Sequence, residues 1–366
     1  MKLLILAILV VLGALALNPG WQGLKPAILP LTPQPTKTLT SSNSTGLPLN
    51  ILPGFSIQYA AAGLNCPRDL EFDPGGTLIA SIPCQNKVVS LTPTEIGLVA
   101  SGLNQPHGIA YANGKLYIAQ ADKVTVDGKK ILDLPTGGNH TTRSILIKDG
   151  KIYVSMGSSC NVCYEKDPRR AAIWVAALDG SDFKPFATGL RNSVFLIEHQ
   201  GEIWATDMGR DHLGNNLPPE EVNIIKEGDY GWPVCYGKNI HDTNFDKNQY
   251  IRDPCAGKIP PEIEMPAHFA PLGLAFVPAS WPAEYRGKLL VAFHGSWNRN
   301  PPDGYKIVSI DPATKKISDF ITGWLQPDNS ALGRPADLIF DSAGNLYVSD
   351  DKRGVVYKIT PPAPAP

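Results

Sequence analysis

The chain of 366 residues lacks a surplus of charge of either sign: 33 Lys and Arg stand against 34 Asp and Glu, a formal net charge of −1. Without a basic excess there is no electrostatic footprint for nucleic acid. The chain also lacks the apolar-poor composition of a disordered protein. Its 43% apolar content over this length is enough to bury a substantial core. A second C-x-x-C is missing beside "CNVC", which leaves zinc without a full ligand set and makes metal or redox chemistry there the minor alternatives to a disulfide. The D-x-D-x-D-G spacing of an EF-hand is likewise missing. What is abundant is glycine and proline, 34 of each, which favours many turns and short strands over long helices.

The N-terminus "MKLLILAILVVLGALALNPG" carries one lysine and then an apolar run from Leu3 to Leu17. That is the layout of an export signal over residues 1–20, or of an uncleaved anchor, since no clean A-x-A site follows. Residues 21–48, including "PAILPLTPQPTKTLTSSNSTGLP", read as an extended Pro/Thr/Ser tether. Folded sequence is expected from Leu49 to residue 361, with 362–366 a short tail. The protein is therefore expected outside the cytoplasm: periplasmic, extracellular or anchored to the outer face of the cytoplasmic membrane. Six cysteines fit that setting, and proximity favours Cys66 with Cys84, Cys160 with Cys163 and Cys235 with Cys255. Asn43 and Asn139 lie in N-x-[ST] sequons, which matter only in a glycosylating host.

A phrase recurs along the folded part: a polar approach, an apolar strand, a glycine turn and a second strand. It runs from "CPRDLEFDPGGTLIAS" through "QPHGIAYANGKLYIAQ", "TTRSILIKDGKIYVSM", "RNSVFLIEHQGEIWATD" and "APLGLAFVP" with "YRGKLLVAF" to "RPADLIFDSAGNLYVSD". A base period of about 40 residues is what one four-stranded propeller blade needs, with longer gaps holding insertions. An all-β, six-bladed propeller of four-stranded antiparallel blades follows. Its closure is expected between Gly54–Tyr59 and the final "GVVYKI". Trp204 and Trp232 are expected in the packing between blades.

In such a ring the residues just before each apolar strand converge at one channel mouth. Here they are Arg68, His107, His140 with Arg143, Arg191 with Asn192, His268, and Arg334. Convergent basic groups favour an anionic ligand over an inert polar rim. The loop from Asp207 to Glu221, rich in Gly, Asn and acids and followed by "GDYGWP", is chemically suited to a hard cation such as Ca²⁺.

"GLRN", "DMGRDHLGNNLPPEEVN", "GDYGWPVCYG", "AHFAPLGLAF", "FHGSWNR", "GRPADLIF" and "GNLYVSDDKRGVVYKI" together resemble the glucose/sorbosone dehydrogenase family, the soluble quinoprotein sugar dehydrogenases, over about residues 50 to 361. The resemblance implies a six-bladed propeller with pyrroloquinoline quinone (PQQ) and Ca²⁺ at the mouth, oxidising a sugar. It implies His140 as general base, for which a neutral imidazole is suited. It implies Arg191 as the cation stabilising charge on the quinone, Asn192 as its neighbour in cofactor contact, and Arg334 as partner of a cofactor carboxylate. Gly209 and Arg210 fall where backbone carbonyls meet the cofactor calcium, and Glu220, Glu221 and Tyr230 at a second, structural calcium. Against the family pattern, Gly209-Arg210 stands where better-studied members have Gly-Pro. "FHGSWNR" stands where they place a cofactor-binding lysine, so His294 and Arg299 are the substitutes, and His268 and His107 are further contact candidates. These departures point nearer the sorbosone-type branch. Arg143 stays open between cofactor contact and a structural role under the rim, and His140 between general base and a strand cap.

No C-x-x-C-H haem motif is present, so electrons would pass to a separate acceptor, a cytochrome or a membrane quinone. Two other readings compete: a non-catalytic propeller binding carbohydrate or peptide, and a calcium-dependent lactonase, whose carboxylate-rich site the His and Arg of this rim match poorly.

Overall fold

The computed structural model describes residues 19–30 and 43–362. Its building block is the tight hairpin. Asn113–Gly114 (φ +50° and +73°) joins strand Ile109–Ala112 to Lys115–Ala119, and Asp149–Gly150 (φ +50° and +70°) joins Arg143–Lys148 to Lys151–Met156. Left-handed backbone at both turn positions gives the twist that the flanking strands require. The resulting register sets Leu146 opposite Tyr153 and Ile145 opposite Val154.

Six antiparallel sheets built this way stand in a ring. Their innermost strands, in chain order, are Leu70–Phe72, Ile109–Ala112, Arg143–Lys148, Leu196–His199, Pro271–Phe276 and Pro335–Phe340; each lies against the next, and the last against the first. We number the blades one to six accordingly. Blade six is completed from the other end of the chain, Ser56–Ala62 pairing antiparallel with Val355–Thr360 and setting Ile57 opposite Ile359. This is the expected closure of a six-bladed propeller. Asn50–Ile51 adds an edge to blade five, and Gly228–Asp229 runs parallel to Lys184–Thr188 on blade three.

The core is divided among the seams between blades, because each twisted sheet has two faces to cover. The seam of blades five and six buries Phe55, Trp281, Phe320, Trp324 and Tyr357, while that of blades four and five holds Trp204, Val222, Leu274 and Phe293. At about 1.5–3 kcal/mol for each large apolar side chain buried, these seams hold the ring closed. Trp232 is only half-buried. All three disulfides join the expected couples, Cys66–Cys84, Cys160–Cys163 and Cys235–Cys255.

The tract expected to be an extended tether is folded in part. Pro19–Ile28 forms a helix laid on the propeller. Gly23 packs so tightly on the Arg299 carbonyl that a Cβ would lie 2.3 Å from its oxygen. Lys25 Nζ donates to the Asp328 carbonyl (2.6 Å), and Lys352 Nζ to the Leu29 carbonyl (2.5 Å). Composition hides this helix because its prolines stand at its start and at Pro26, inside a helix held by docking. Packing also begins before Leu49: Asn43 Nδ2 donates to the carbonyls of Leu47 (2.9 Å) and Leu49 (3.0 Å), and Leu47 is buried. The Asn43 sequon is thereby occupied and enclosed, whereas Asn139 is exposed. The apolar run Leu3–Leu17, residues 31–42 and residues 363–366 lie outside the described residues. Among the described residues no helix is long and apolar enough to cross a membrane.

Candidate active site

An antiparallel hairpin returns the chain to the end from which it set out. The residues entering each innermost strand therefore share one face of the ring with those leaving the second strand. Carboxylates at the ends of second strands fix this entrance: Asp207 accepts the backbone N–H of Arg191 (2.9 Å) and Asn192 (2.6 Å), and Asp350 accepts that of Arg334 (2.7 Å). The mouth so formed has two sides.

On the side of blades three, four and five stands His140. Its Nδ1 is 2.9 Å from the Ser158 carbonyl oxygen and 2.9 Å from Ser158 Oγ, which itself donates to the Cys160 carbonyl (2.7 Å). A carbonyl only accepts, so the imidazole proton belongs on Nδ1 and the Nε2 lone pair is left available. Burial first, and then the Arg191 guanidinium, pull the His140 pKa down to about 4, partly opposed by the Ser158 carbonyl. The ring is neutral across the physiological range.

Arg191 is buried and engaged at every nitrogen. Nε donates to the Asn161 carbonyl (2.8 Å), Nη1 to the Gly209 carbonyl (2.8 Å), and Nη2 to Asn161 Oδ1 (2.9 Å) and Asp211 Oδ2 (3.0 Å). Asn192 lies beside it, its amide against Met208 Sδ (3.5 Å). Its Oδ1 is so near Gly157 that a Cβ there would be 2.3 Å from it and 2.7 Å from His140 Cβ. His268 is buried, with Nε2 donating to the Gly214 carbonyl (2.6 Å) and Nδ1 facing Asn298 Nδ2 (3.3 Å), and Asn298 also donates to Asp211 Oδ1 (2.9 Å).

Across the mouth, blades five, six, one and two contribute a second network. Arg68 donates through Nη1 to Asp351 (2.5 Å) and through Nε towards His107 Nε2 (3.5 Å). His107 is buried, its Nδ1 facing Ser144 Oγ (3.3 Å). His294 Nε2 is 2.9 Å from both Asp351 oxygens. Arg334 donates from Nε to the His294 carbonyl (3.0 Å) and from Nη2 to the Gly295 carbonyl (2.8 Å), with its guanidinium over the Tyr305 ring. Burial opposes ionisation of Asp351, but His294 and Arg68 beside it, with Arg334, hold it well below the usual carboxylate range. Burial and Arg334 pull His294 down to about 4. Among the described residues, Arg334 Nη1 and Arg68 Nη2 have no protein hydrogen-bond partner. A cavity of about 300 Å³ brings Arg68 and His107 together with Thr141 and Thr142, which follow His140.

Three expected site residues commit their side chains to protein groups. Arg143 is fully buried behind the mouth, donating to the carbonyls of His140 (2.9 Å), Thr142 (2.8 Å) and Pro135 (2.7 Å). It holds the loop that carries His140 and is not placed for cofactor contact. Arg299 donates to the Asn215 carbonyl and Asn216 Oδ1, in the loop after Asp207, and lies over Phe269. The Arg210 side chain is spent on Asp242 (3.2 Å), which leaves the expected role to its backbone carbonyl.

Glu220 and Glu221 do not meet on one ion site, because adjacent residues of strand Glu220–Ile225 face opposite sides of the sheet. Glu220 accepts from the N–H of Gly209 (2.8 Å) and Ala270 (3.2 Å), and burial raises it to about 8. Glu221, directly across the ladder from Asp207, accepts from the Gly237 N–H (2.9 Å) and Asn223 Nδ2 (3.1 Å). Burial and Asp207 raise it to about 8 as well. Tyr230 is buried, its hydroxyl donating to the Ile224 carbonyl (2.8 Å). Among the described residues, the group of ligand-type side chains close enough for one metal is Cys160, Cys163 and Glu165, and both cysteines are in a disulfide.

Sequence reasoning missed Ser158, Asn161, Arg170, Asp211, Asn298 and Asp351. Arg170 donates to the carbonyls of His140 (3.0 Å) and Pro135 (3.1 Å), doubling the support from Arg143. All six lie in or beside the loops after second strands, whereas the repeat draws attention to the residues before first strands. The recurring "ATD" and "VSD" at the ends of two second strands were the available signal.

Comparison with known proteins agrees with this architecture. Residues 49–362 match the family model described as TrAA12-like. An uncharacterised protein of Borreliella burgdorferi is 32% identical over 348 residues, covering 85% of this chain and 90% of that protein. The pyrroloquinoline quinone-dependent pyranose dehydrogenase of Coprinopsis cinerea is 26% identical over 399 residues, and the match takes in 85% of this chain but 54% of that enzyme, about half its length. The holo structure of the PQQ domain of that pyranose dehydrogenase superposes with a TM-score of 0.74 at 22% identity, covering 90% of this chain and 98% of the domain, a likeness of fold.

Proposed function

We propose, from the premise that this chain belongs to the TrAA12-like family, that it is an exported quinoprotein dehydrogenase. It oxidises a carbinol or hemiacetal carbon of a sugar, uses PQQ with Ca²⁺, and passes the electrons to an external acceptor such as a cytochrome or quinone. The observation that carries this reading is His140, a neutral histidine whose Nδ1 is committed to the Ser158 carbonyl, so that Nε2 can take a proton.

The residues present fit a polyanionic cofactor. Arg334 and Arg68 each keep a guanidinium nitrogen without a protein partner, and a carboxylate is the natural acceptor for it. When bound, PQQ supplies a carbonyl carbon able to accept hydride. Arg334 and Arg68 would hold its carboxylates, while Asn192 and the carbonyls of Gly209 and Arg210 would serve the cofactor and its calcium. Glu221 and the Tyr230 carbonyl remain candidates for a second calcium, without Glu220. Of the remaining steps the chain itself performs two. His140 Nε2 removes the proton of the substrate hydroxyl, which contributes about 10²–10⁴ in rate for a well-placed base. Arg191, immobilised by its partners, supplies a fixed positive field in a water-poor site and needs no reorganisation as charge develops. Three disulfides suit an oxidising compartment.

The test is reconstitution of purified protein with PQQ and Ca²⁺, followed by dye reduction with a panel of aldoses and alditols. Sugar-dependent reduction that requires PQQ is expected. Protein that neither binds PQQ nor turns over any sugar overturns the reading and leaves a binding propeller.

A further inference from the structure

Residues 158–163 address both chemical groups on one side of the mouth. Ser158 faces His140 Nδ1 with its carbonyl and its hydroxyl, and the hydroxyl is steadied by the Cys160 carbonyl. Asn161, enclosed between the disulfide-bonded Cys160 and Cys163, faces Arg191 and Asp211. Its carbonyl accepts Arg191 Nε (2.8 Å). Its Oδ1 accepts both Arg191 Nη2 (2.9 Å) and the Asp211 N–H (2.7 Å), and its Nδ2 donates to the Asp211 carbonyl (3.0 Å). One residue thus ties together three stretches far apart in sequence: the Cys160–Cys163 loop, the entry to blade four and the loop after Asp207.

This combination calls for an amide. Two N–H groups converge on one oxygen while a carbonyl requires a donor beside it, and Asn or Gln alone offers both capacities on one planar group. The disulfide ring limits the conformations open to Asn161 before any of these bonds forms, so little further ordering is needed to hold Arg191. Arg191 has no alternative neutral partner for Nη2, and without Asn161 that nitrogen rests on Asp211 alone.

We propose that Asn161 is a positioning residue of the dehydrogenase reaction: presented by the Cys160–Cys163 ring, it sets the orientation of the Arg191 guanidinium and of the loop beginning at Gly209. The proposal rests on the dehydrogenase reading above. It differs from a purely structural role in predicting that catalysis is lost where the fold is kept.

The experiment compares wild type with Asn161→Ala and Asn161→Asp, all in full chain reconstituted with PQQ and Ca²⁺. It measures PQQ affinity by the shift in cofactor absorption, kcat and KM by dye reduction, and the thermal midpoint. Asn161→Ala is expected to lower kcat by about 10- to 100-fold, the range a small misplacement in an active site produces, with a much smaller change in KM for sugar and weaker PQQ binding. Asn161→Asp keeps the accepting oxygen for Arg191 and the Asp211 N–H but loses the donor to the Asp211 carbonyl, and is expected to recover kcat in part, above Ala and below wild type. A folded Ala variant with wild-type kcat and PQQ affinity overturns the proposal, as does a folded Asp variant as slow as Ala. If the Ala variant does not fold, Asn161→Gln decides: it keeps the amide but displaces it by one methylene, so slowed turnover supports positioning and wild-type turnover overturns it. A wild-type protein that binds no PQQ and oxidises no sugar is a distinct result, which overturns the dehydrogenase reading and this proposal together.

Discussion

The two sides of the mouth use the same residue types in opposite ways. On the His140 side Arg191 is consumed by protein: every guanidinium nitrogen has an acceptor, and its side chain is 5% exposed. On the far side Arg334 and Arg68 each retain an uncommitted nitrogen, and Asp351 lies between Arg68 and His294. The histidines follow a different division: His140 and His294 each commit one ring nitrogen, to the Ser158 carbonyl and to Asp351, and keep the other available, while His107 and His268 are engaged at both. An arginine with spare donors can bind an anion, whereas one fully engaged acts only through its field. The residue type alone does not distinguish a binding group from an electrostatic one; the count of satisfied donors does.

The sharpest way to break the comparison is His140→Ala. It is expected to cut kcat by about 10³-fold, within the range for loss of a general base, while an absorption titration finds PQQ still bound. Unchanged turnover would return His140 to the role of a strand cap. Arg334→Ala should do the reverse, weakening PQQ about 10- to 100-fold, the loss of a charge-assisted hydrogen bond of about 1.5–3 kcal/mol, with kcat at saturating cofactor changed far less. Equal losses in kcat and affinity from both variants would erase the division of labour.

Arg143→Ala separates the mouth from its support. Removing a fully buried guanidinium that holds three carbonyls should lower the thermal midpoint by several degrees and reduce kcat through the displaced His140 loop, with PQQ affinity the least affected. A large loss of PQQ binding at an unchanged midpoint would restore Arg143 as a cofactor contact.

The smallest effect concerns pH. The folded-state pKa of His140 is about 4, against about 6.5 for a free imidazole, so the neutral base survives acidification and the acid limb of kcat/KM should fall near pH 4. Because the folded state resists protonation, the same shift removes stability as pH drops from about 6.5 towards 4. An acid limb near pH 6.5 would show that Arg191 and burial do not act on the working base.

Much of this protein is determined by its sequence alone, and for a local reason. Apolar alternation, glycine turns and the repeat of one hairpin phrase are encoded within each stretch, so six blades and their closure by Ile57 and its neighbours are legible without a structure. The same local logic picks out the residues entering each innermost strand, His140, Arg191 and Arg334 among them. Only the tertiary structure decided how each side chain is used. His140 and Arg143 are three residues apart, yet His140 keeps a ring nitrogen available while Arg143 is fully buried, because the carbonyls of Pro135, His140 and Thr142 close on its guanidinium. Ser158, Asn161 and Asp351 come from loops remote in sequence from the groups they hold, and the helix Pro19–Ile28 is stabilised by contacts with Asp328 and Lys352. Partners separated by tens or hundreds of residues leave no periodic trace in the chain, and the number of donors left free at each guanidinium is set by those partners.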